Sequence, residues 1–568
     1  MADKFEVARA LREIALLLQI DGANPFKVRA YERGARAVEV LREDVTILAR
    51  EGRLTEVPGI GAALASTITE IATTGRSAQL EKLKSRLPAG ALELQPVLSL
   101  PRIKAVHDAL GISTLEGLKA AAEAGRLRTV TGFGEKTEAK VLAAISGLAE
   151  RSEETLLYEA SREAESMLQH LRVSPAVEQA EAGGALRRRC ETVTRIEIVV
   201  GSRKPAAALD HALGFGLITN VLERSADTAT GRIAAGITLN VEVVPPARFA
   251  AALHRSTGSA GHRAKLAVVA EARGLRLDDD GLTKGGRRLP LATDEDLYRH
   301  LGLAYIPPEM REDAGEVEAA VSGLLPADLV TLEDVRGLVH CHTTYSDGKH
   351  SVLEMARAAE KLGMKYITIT DHSPTAHYAG GLPLDRLKKQ WEDIDRAQEQ
   401  VSVRLLRGTE SDINADGSLD YPDEVLEKLD VIIASVHNRH KMDSAAMTKR
   451  ITTAMRRPQF KVWGHALGRY VLTRPPFACD VERILDVIAE SRAAVEINGD
   501  PPRLDMEPRW IREARKRGIK FVISTDAHSM KALENFRWGV DMARRGWVRK
   551  GEVLNAQGVD GFREAVRP

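Results

Sequence analysis

Residues 337–348 read GLVHCHTTYSDG. In a strand, residues two apart share a face, so Leu338, His340 and His342 point the same way. Two imidazoles at the end of an apolar run, with Asp347 in the loop that follows, suit a zinc, manganese or iron site. The device recurs along the C-terminal region. KYITITDH (365–372) ends in Asp371 and His372, and VSVRLLRGTE (401–410) ends in Glu410, with Asp412 two further on. DVIIASVH (430–437) ends in His437, FKVWGH (460–465) in His465, AAVEIN (493–498) in Asn498, and KFVISTDAH (520–528) in Asp526 and His528. Seven short apolar runs alternate with amphipathic helical segments, and each closes on a His, an acid or an Asn. That order predicts a βα-repeat barrel with its chemistry at the strand C-termini. A carboxylate such as Glu410 can bridge two ions. Several ions close together clamp a phosphate, acidify a bound water and neutralise a leaving oxygen.

The bulk properties narrow the partners. The chain has 568 residues, enough for roughly four domains. Lys and Arg number 81 against 80 Asp and Glu, so any nucleic-acid binding must come from local patches. Cys190, Cys341 and Cys479 show no CxxC spacing and are expected to be free thiols in the reducing cytoplasm. The first twenty residues lack a signal-peptide layout, and no stretch approaches about 20 uninterrupted apolar residues, so no membrane span is expected. Aromatics are 4%, too few for a surface built mainly on base stacking.

Before the barrel the pattern changes twice. Residues 1 to about 150 are short amphipathic helices joined by Gly/Pro turns, two of them alike: VPGIGAALA (57–65) and VTGFGEKTEAKV (130–141). Both fit the helix–hairpin–helix pattern. Gly59, Gly61, Gly132 and Gly134 would let backbone N–H groups approach a phosphate at the start of the next helix, and Lys136 would add charge. The bland alternative is a tight helix–helix turn. A third copy, LPRIKAVHDALGI (100–112), lacks the paired glycines. Strand-like runs then appear, RIEIVV (195–200) after the basic loop ALRRRCE, and ITLNVEVV (237–244). On the first, Arg195 and Glu197 share a face.

HCHTTYSDG, DHS, GTESD, SVHNRH, GHALGR and TDAHS resemble the PHP (polymerase and histidinol phosphatase) family. The resemblance implies a distorted (β/α)7 barrel with a trinuclear metal centre that hydrolyses phosphoesters. Carried onto this sequence, it makes His340, His342, Asp347, His372, Glu410, His437, His465, Asp526 and His528 the ligands of divalent ions, three in number, whether manganese, zinc or iron. Arg469, four residues after His465, is placed to hold a phosphate, or else is an ordinary surface arginine. Asn498 and Arg503 match a stretch that often lines such sites.

Over the whole chain the order of segments resembles bacterial family X DNA polymerases with a C-terminal PHP domain. The fold class expected is therefore multidomain α+β and α/β: a helical helix–hairpin–helix region, a nucleotidyltransferase-like palm and a (β/α)7 barrel. The domains would be 1–85 and 86–155 (helical, DNA-binding and fingers-like), 156–245 (palm), 246–315 (thumb-like), 316–335 (linker) and 336–568 (PHP). The family pattern has a Gly-Ser loop, two strand acids and a third acid on a neighbouring strand, which together hold two magnesium ions. Here those positions are Ala185, Arg195, Glu197 and Asn240. Arg, Glu and Asn sum to zero charge, so two divalent cations have no reason to collect. Glu242 could retain a single ion, and Arg255-Ser256 stands where an aromatic pair is usual. Thr67 occupies the place of a Schiff-base lysine and cannot form an imine. Arg187, Arg188 and Arg189 are either phosphate ligands or a solvated basic loop.

The expected function is a metal-dependent phosphodiesterase, a 3′–5′ DNA exonuclease acting in repair, on a polymerase frame without polymerase activity. DNA ends or primer–templates would be the partner and the chain a monomer. The alternatives are a small-molecule phosphomonoesterase, a gap-filling polymerase that still works, and a non-catalytic DNA-end binder.

Overall fold

A computed structural model describes residues 25–39, 45–57, 59–84, 100–152, 154–233 and 235–566, with isolated positions within 7–18 and 94–98. Most of the first twenty residues, and so the reading made of them above, lie outside the described residues. The chain divides into two compact units, Met1–Ser152 and Glu153–Pro568.

The first unit is helical. Its described helices include Pro25–Glu39, Val45–Arg50, Ala62–Thr74, Leu100–Leu110, Leu115–Glu123 and Glu135–Ser152. Two separate apolar cores hold it together, one around Leu11, Ile14, Ile68 and Ile71, the other around Val106, Leu118, Leu127 and Phe133. The third, glycine-poor copy falls on the helix Leu100–Leu110.

The second unit begins with a five-stranded sheet: β1 Gln179–Ala182, β2 Arg195–Gly201, β3 Ile218–Arg224, β4 Thr228–Ile233 and β5 Thr238–Val244, in the order β1-β2-β5-β4-β3. β2 and β5 run parallel, and their register sets Glu197 beside Asn240. Along β2 the buried residues Ile196 and Ile198 alternate with Arg195 and Glu197, which leaves the charged pair on the open face. Helices Phe249–Thr257 and Ala260–Ala272 follow, then a small three-stranded sheet. The segment 316–335, expected to be a linker, opens with the helix Glu316–Val321, where Glu316, wholly buried, pairs with His262 Nδ1 at 2.7 Å, and residues 321–324 and 331–333 are exposed.

Seven parallel strands complete the chain: β6 Gly337–Cys341, β7 Tyr366–Ile369, β8 Arg404–Asp412, β9 Val431–Ser435, β10 Val462–Trp463, β11 Ala494–Asn498 and β12 Phe521–Ser524, each beside its sequence neighbour. These are the seven apolar runs of the sequence. Nearly all their residues are buried, as expected for parallel strands covered on both faces. The first and last strands close on each other beyond their ends: His342 N donates to Ala527 O at 2.9 Å and Ala527 N to His340 O at 3.0 Å. Outer helices start at side-chain caps, Ser351 with Glu354 in a capping box, then Asp443 and Asp480. The side chains of the strand ends and of the loops that lead to these helices meet at one mouth.

Candidate metal centre and its surroundings

All nine expected ligands converge at that mouth. The donor atoms of eight form overlapping groups: His342, Asp347, His372 and His528; His340, His342, Glu410 and Asp526; and His372, Glu410 and His437, each with its donor atoms within 4.8 Å of one another, and His465 joins through Glu410. Glu410 stands at the centre. Its Oε2 lies 3.0 Å from His372 Nδ1 and 3.3 Å from His340 Nε2, and its Oε1 lies 2.8 Å from His465 Nε2 and 3.0 Å from His437 Nε2. His528 Nε2 is 3.2 Å from Asp347 Oδ1, and His342 Nε2 is 3.2 Å from Asp526 Oδ1. His340, His465 and Asp526 hold left-handed backbone angles, φ 68°, 25° and 48°. Non-glycine residues hold such angles at a cost of about 1–3 kcal/mol and concentrate at functional sites.

A further layer of carboxylates orients the imidazoles. Glu496, wholly buried, accepts from His340 Nδ1 at 2.5 Å, from Ser524 Oγ at 2.6 Å, from Asn498 Nδ2 at 3.1 Å and from the His465 amide. Asp412 accepts from His437 Nδ1 at 2.9 Å. An ionised carboxylate only accepts, so Nδ1 keeps a proton, and when the ring is neutral Nε2 turns its lone pair inward. His340 Nε2, both ring nitrogens of His342, His372 Nδ1 and Glu410 Oε2 are buried without a hydrogen-bond partner. Buried polar atoms are normally satisfied. Orphaned nitrogens around a carboxylate fit divalent ions. Asp371, beside the ligands but not among them, ties the loop by accepting from Thr343, Ser346 and Gln390.

The electrostatics agree with that fit. Burial would raise Glu410, but His437 and His340 hold it well below the usual carboxylate range, and His340 and Arg503 do the same for Asp526. Burial would lower His437 and His528. Glu410 and Asp412 lift the first to about 10, and Asp347 and Asp526 lift the second to about 9. Burial, then the neighbouring His528 and His372, push His342 down to about 3.

The mouth opens into a cavity of about 430 Å³. Beyond the ligands its wall carries Tyr378, Tyr470, Arg474, Asp500 and Arg503. Arg503 Nε lies 3.0 Å from Asp526 Oδ2, and Arg474 and Arg503 stack on Tyr470 at 4.3 and 4.5 Å from the ring centre. Tyr378, 71% exposed, stands at the lip within 6.3 Å of the His372 and His437 rings. Arg469, the residue expected to hold a phosphate, is not in this wall. Gly468, at φ 61°, turns it inward, where its Nε donates to Arg503 O at 3.1 Å and a second nitrogen to Leu504 O. Its charge faces Glu191 at 3.3 Å.

The open face of the five-stranded sheet is a different place. Arg195 Nε donates to Glu197 Oε1 at 2.9 Å, Arg255 pairs with Glu242, and Asn240 accepts from Thr230 at 3.1 Å. Each acid is already matched by a guanidinium. The basic loop is no free phosphate cradle either. Arg187 is spent on Asp294 at 2.9 Å and Thr257 at 3.0 Å, Arg188 on Glu312 and Thr257 O, and Arg189 faces Asp541 at 3.6 Å. Those acids lie far along the chain, where no local pattern marks them as partners. Thr67 is buried and donates to Ala63 O at 3.3 Å.

In the helical unit the two glycine pairs share one geometry. Gly59 and Gly132 have φ 93° and 86°, which favour glycine. Gly61 (φ −83°) caps the helix Ala62–Thr74, and Gly134 precedes Glu135–Ser152. Nothing lies within 4 Å of a Cβ built on any of the four. Inside the protein, then, nothing forbids a side chain at Gly61 or Gly134. Lys136 is exposed beside the second pair. No described helix is long and apolar enough to cross a membrane.

Comparison with known families agrees along the chain. Residues 2–77 match a helix-hairpin-helix domain, 102–159 a SAM-like helix-hairpin-helix tandem, 252–312 the DNA polymerase beta thumb and 339–499 the PHP domain. A Bacillus subtilis (strain 168) protein named DNA polymerase/3'-5' exonuclease PolX is 33% identical over 98% of this chain and 97% of its own length. A probable phosphatase of Thermoanaerobacter sp. (strain X514) is 29% identical over 38% of this chain and 88% of its own length. One of Caldanaerobacter subterraneus is 30% identical over 33% and 74%. With the whole length matched and the domains in the same order, the chain belongs to the bacterial family X DNA polymerases that carry a C-terminal PHP domain.

Proposed function

We propose that this protein is a metal-dependent phosphodiesterase that removes nucleotides from DNA 3′ ends through its PHP barrel, on a polymerase frame that no longer polymerises. The observation that carries the reading is the gathering of eight expected ligands around Glu410, the ninth, with His340 Nε2, both nitrogens of His342, His372 Nδ1 and Glu410 Oε2 left without a hydrogen-bond partner. His340, His342, Asp347, His372, Glu410, His437, His465, Asp526 and His528 would hold up to three ions, manganese, zinc or iron. When bound, the ions supply Lewis acidity, a nucleophile at neutral pH and charge neutralisation at the leaving oxygen.

The chain's own residues do the rest. Arg503 and Arg474 face the cavity as fixed cations and hold the scissile phosphate, the task first given to Arg469. Glu496 and Asp412 keep His340 and His437 in one tautomer and one orientation. His340, His342, His372, Glu410, His465 and Asp526 are buried, which limits competing water, while Asp347 and His528 (about a third exposed) and the lip at Tyr378 stay open to a chain end. The helical unit grips DNA phosphates without reading sequence: Gly59 and Gly132 make the turns, Gly61 and Gly134 clear the approach, and Lys136 adds charge. We assign 1–85, 86–155, 156–245, 246–315 and 336–568 as the working modules, with DNA repair in the cytoplasm as the setting and a monomer as the working form.

Polymerase inactivity rests on the two internal ion pairs of the palm. A small-molecule phosphomonoesterase is the second reading, favoured by the phosphatase relatives that match the barrel alone. The test compares a labelled oligonucleotide with an aryl phosphate monoester, with manganese, for the wild type and His342→Ala. Shortening of the oligonucleotide, lost in the variant, supports the exonuclease. Turnover of the monoester alone selects the second reading.

A further inference from the structure

The opening of the palm strand, RRRCE (187–191), has lost any role at a polymerase centre, yet its last residue reaches the barrel. Glu191 Oε1 lies 3.3 Å from Arg469, and its other oxygen binds Arg545. Burial would raise this carboxyl, but Arg545 and Arg469 hold it down to about 2. Arg469 in turn grips the turn at 503–505. Its side chain donates to the carbonyls of Arg503 and Leu504, and its amide, with that of Leu467, donates to the Asp505 carboxylate at 3.3 and 3.0 Å. Leu504 sits at φ 41°, an angle a side-chain-bearing residue keeps only when held. The same turn carries Arg503, whose Nε is 3.0 Å from Asp526 and whose guanidinium lies against Tyr470 in the cavity wall.

We propose that Glu191 is a positioning residue for the barrel's site: the palm loop fixes Arg469, Arg469 fixes the 503–505 turn, and the turn aims Arg503 at the phosphate. The proposal rests on the phosphodiesterase reading above. Arg469 is a rigid fork with only 9% of its side chain exposed. Without the carboxylate between them, Arg469 and Arg545 lose their nearer partner and keep only Glu507 and Glu312, each at 3.6 Å, so Arg469 turns toward Glu507. Its grip on two carbonyls goes with it. The degenerate palm then contributes to hydrolysis as a brace, independently of any grip on DNA.

That independence makes the test. Full-length wild type, Glu191→Gln, Glu191→Asp, Arg503→Ala and the Glu191→Gln/Arg503→Ala double variant are assayed with manganese on a labelled oligonucleotide and on bis(p-nitrophenyl) phosphate. A misplacement of about 1 Å can cost as much as 100-fold, so Glu191→Gln should lower kcat about 10-fold on both substrates. Glu191→Asp should recover part of the loss. In the double variant Glu191→Gln should add less than about two-fold to the Arg503→Ala defect, because coupled residues are non-additive. If Glu191→Gln does not fold, Arg469→Lys reports the link from the other side: one ammonium keeps the charge but cannot span Glu191 and two carbonyls, and the same loss is expected. A loss on the oligonucleotide alone means the palm grips DNA and overturns the brace. So does wild-type turnover of the small diester in Glu191→Gln or, failing that variant, in Arg469→Lys, and so does full additivity with Arg503→Ala. A wild type inactive on both substrates overturns the phosphodiesterase reading first, and the brace with it.

Discussion

Two charged clusters lie on parallel strands of the same unit, and they differ in what balances their acids. In the barrel Glu410 and Asp347 are surrounded by imidazoles, and Asp526 by imidazoles together with Arg503. In the palm Glu197 and Glu242 are each matched by an arginine. An imidazole can give up its proton and offer a lone pair, whereas a guanidinium can do neither. The barrel is therefore neutralised in a way that a metal can replace. In the palm each acid is matched by a cation that keeps its proton. Counting acids alone would miss this, because what decides is whether the partner cation can leave.

The largest effect expected on the comparison is at the barrel ligands. Several kcal/mol of charge stabilisation rest on the metals, so His342→Ala or Asp526→Ala should lower hydrolysis by roughly three orders of magnitude while leaving DNA binding in place. Retention of activity in both variants would place the chemistry elsewhere. Next come the orienting carboxylates. Glu496→Gln or Asp412→Asn should weaken manganese binding by about 10- to 100-fold, measured by calorimetry.

Nearly all of this site was legible in the sequence. H-x-H and D-x-H at strand ends marked His340 with His342 and Asp526 with His528 as pairs, although the left-handed angles at His340 and Asp526 (φ 68° and 48°) break the period-two alternation there. Glu496 was not legible as a hub, because an acid inside a buried strand declares no partner. Arg469 was misjudged for a related reason. Its spacing from His465 pointed to the mouth, but the turn at Gly468 and the carbonyls of 503 and 504 send it the other way. The triple arginine 187–189 suggested a phosphate loop, and its acids, Asp294, Glu312 and Asp541, are more than a hundred residues off.

Proton release sharpens the contrast. Burial lowers His437 and His528, but neighbouring carboxylates raise them to about 10 and 9 in the metal-free protein, so both are protonated at pH 7.5. Metal needs them neutral. Manganese uptake at pH 7.5 should therefore release protons, and apparent affinity should rise with pH until about 10. Uptake with no proton release, followed with an indicator dye, would contradict the ligand assignment. The palm should release none.

The joint between palm and barrel has an acid limit of its own. Glu191, held down to about 2 against an ordinary 4.5, contributes stability that is complete above 4.5 and is lost as pH falls towards 2. Glu191→Gln should flatten that part of the pH–Tm curve. The smallest effect belongs to the palm's own pair. Arg195 and Glu197 are partly solvent-exposed, so Arg195→Ala should change stability by less than about 1 kcal/mol.

The most direct measurement is a gel assay on a 5′-labelled, 3′-recessed primer–template with manganese, with and without deoxynucleotides. Shortening of the primer in both conditions, lost in His342→Ala, is the expected result: one centre works and the other is neutralised. Extension of the primer on adding deoxynucleotides would contradict it, because Arg195, Glu197, Asn240 and Glu242 would then have to hold the metals that their pairing excludes.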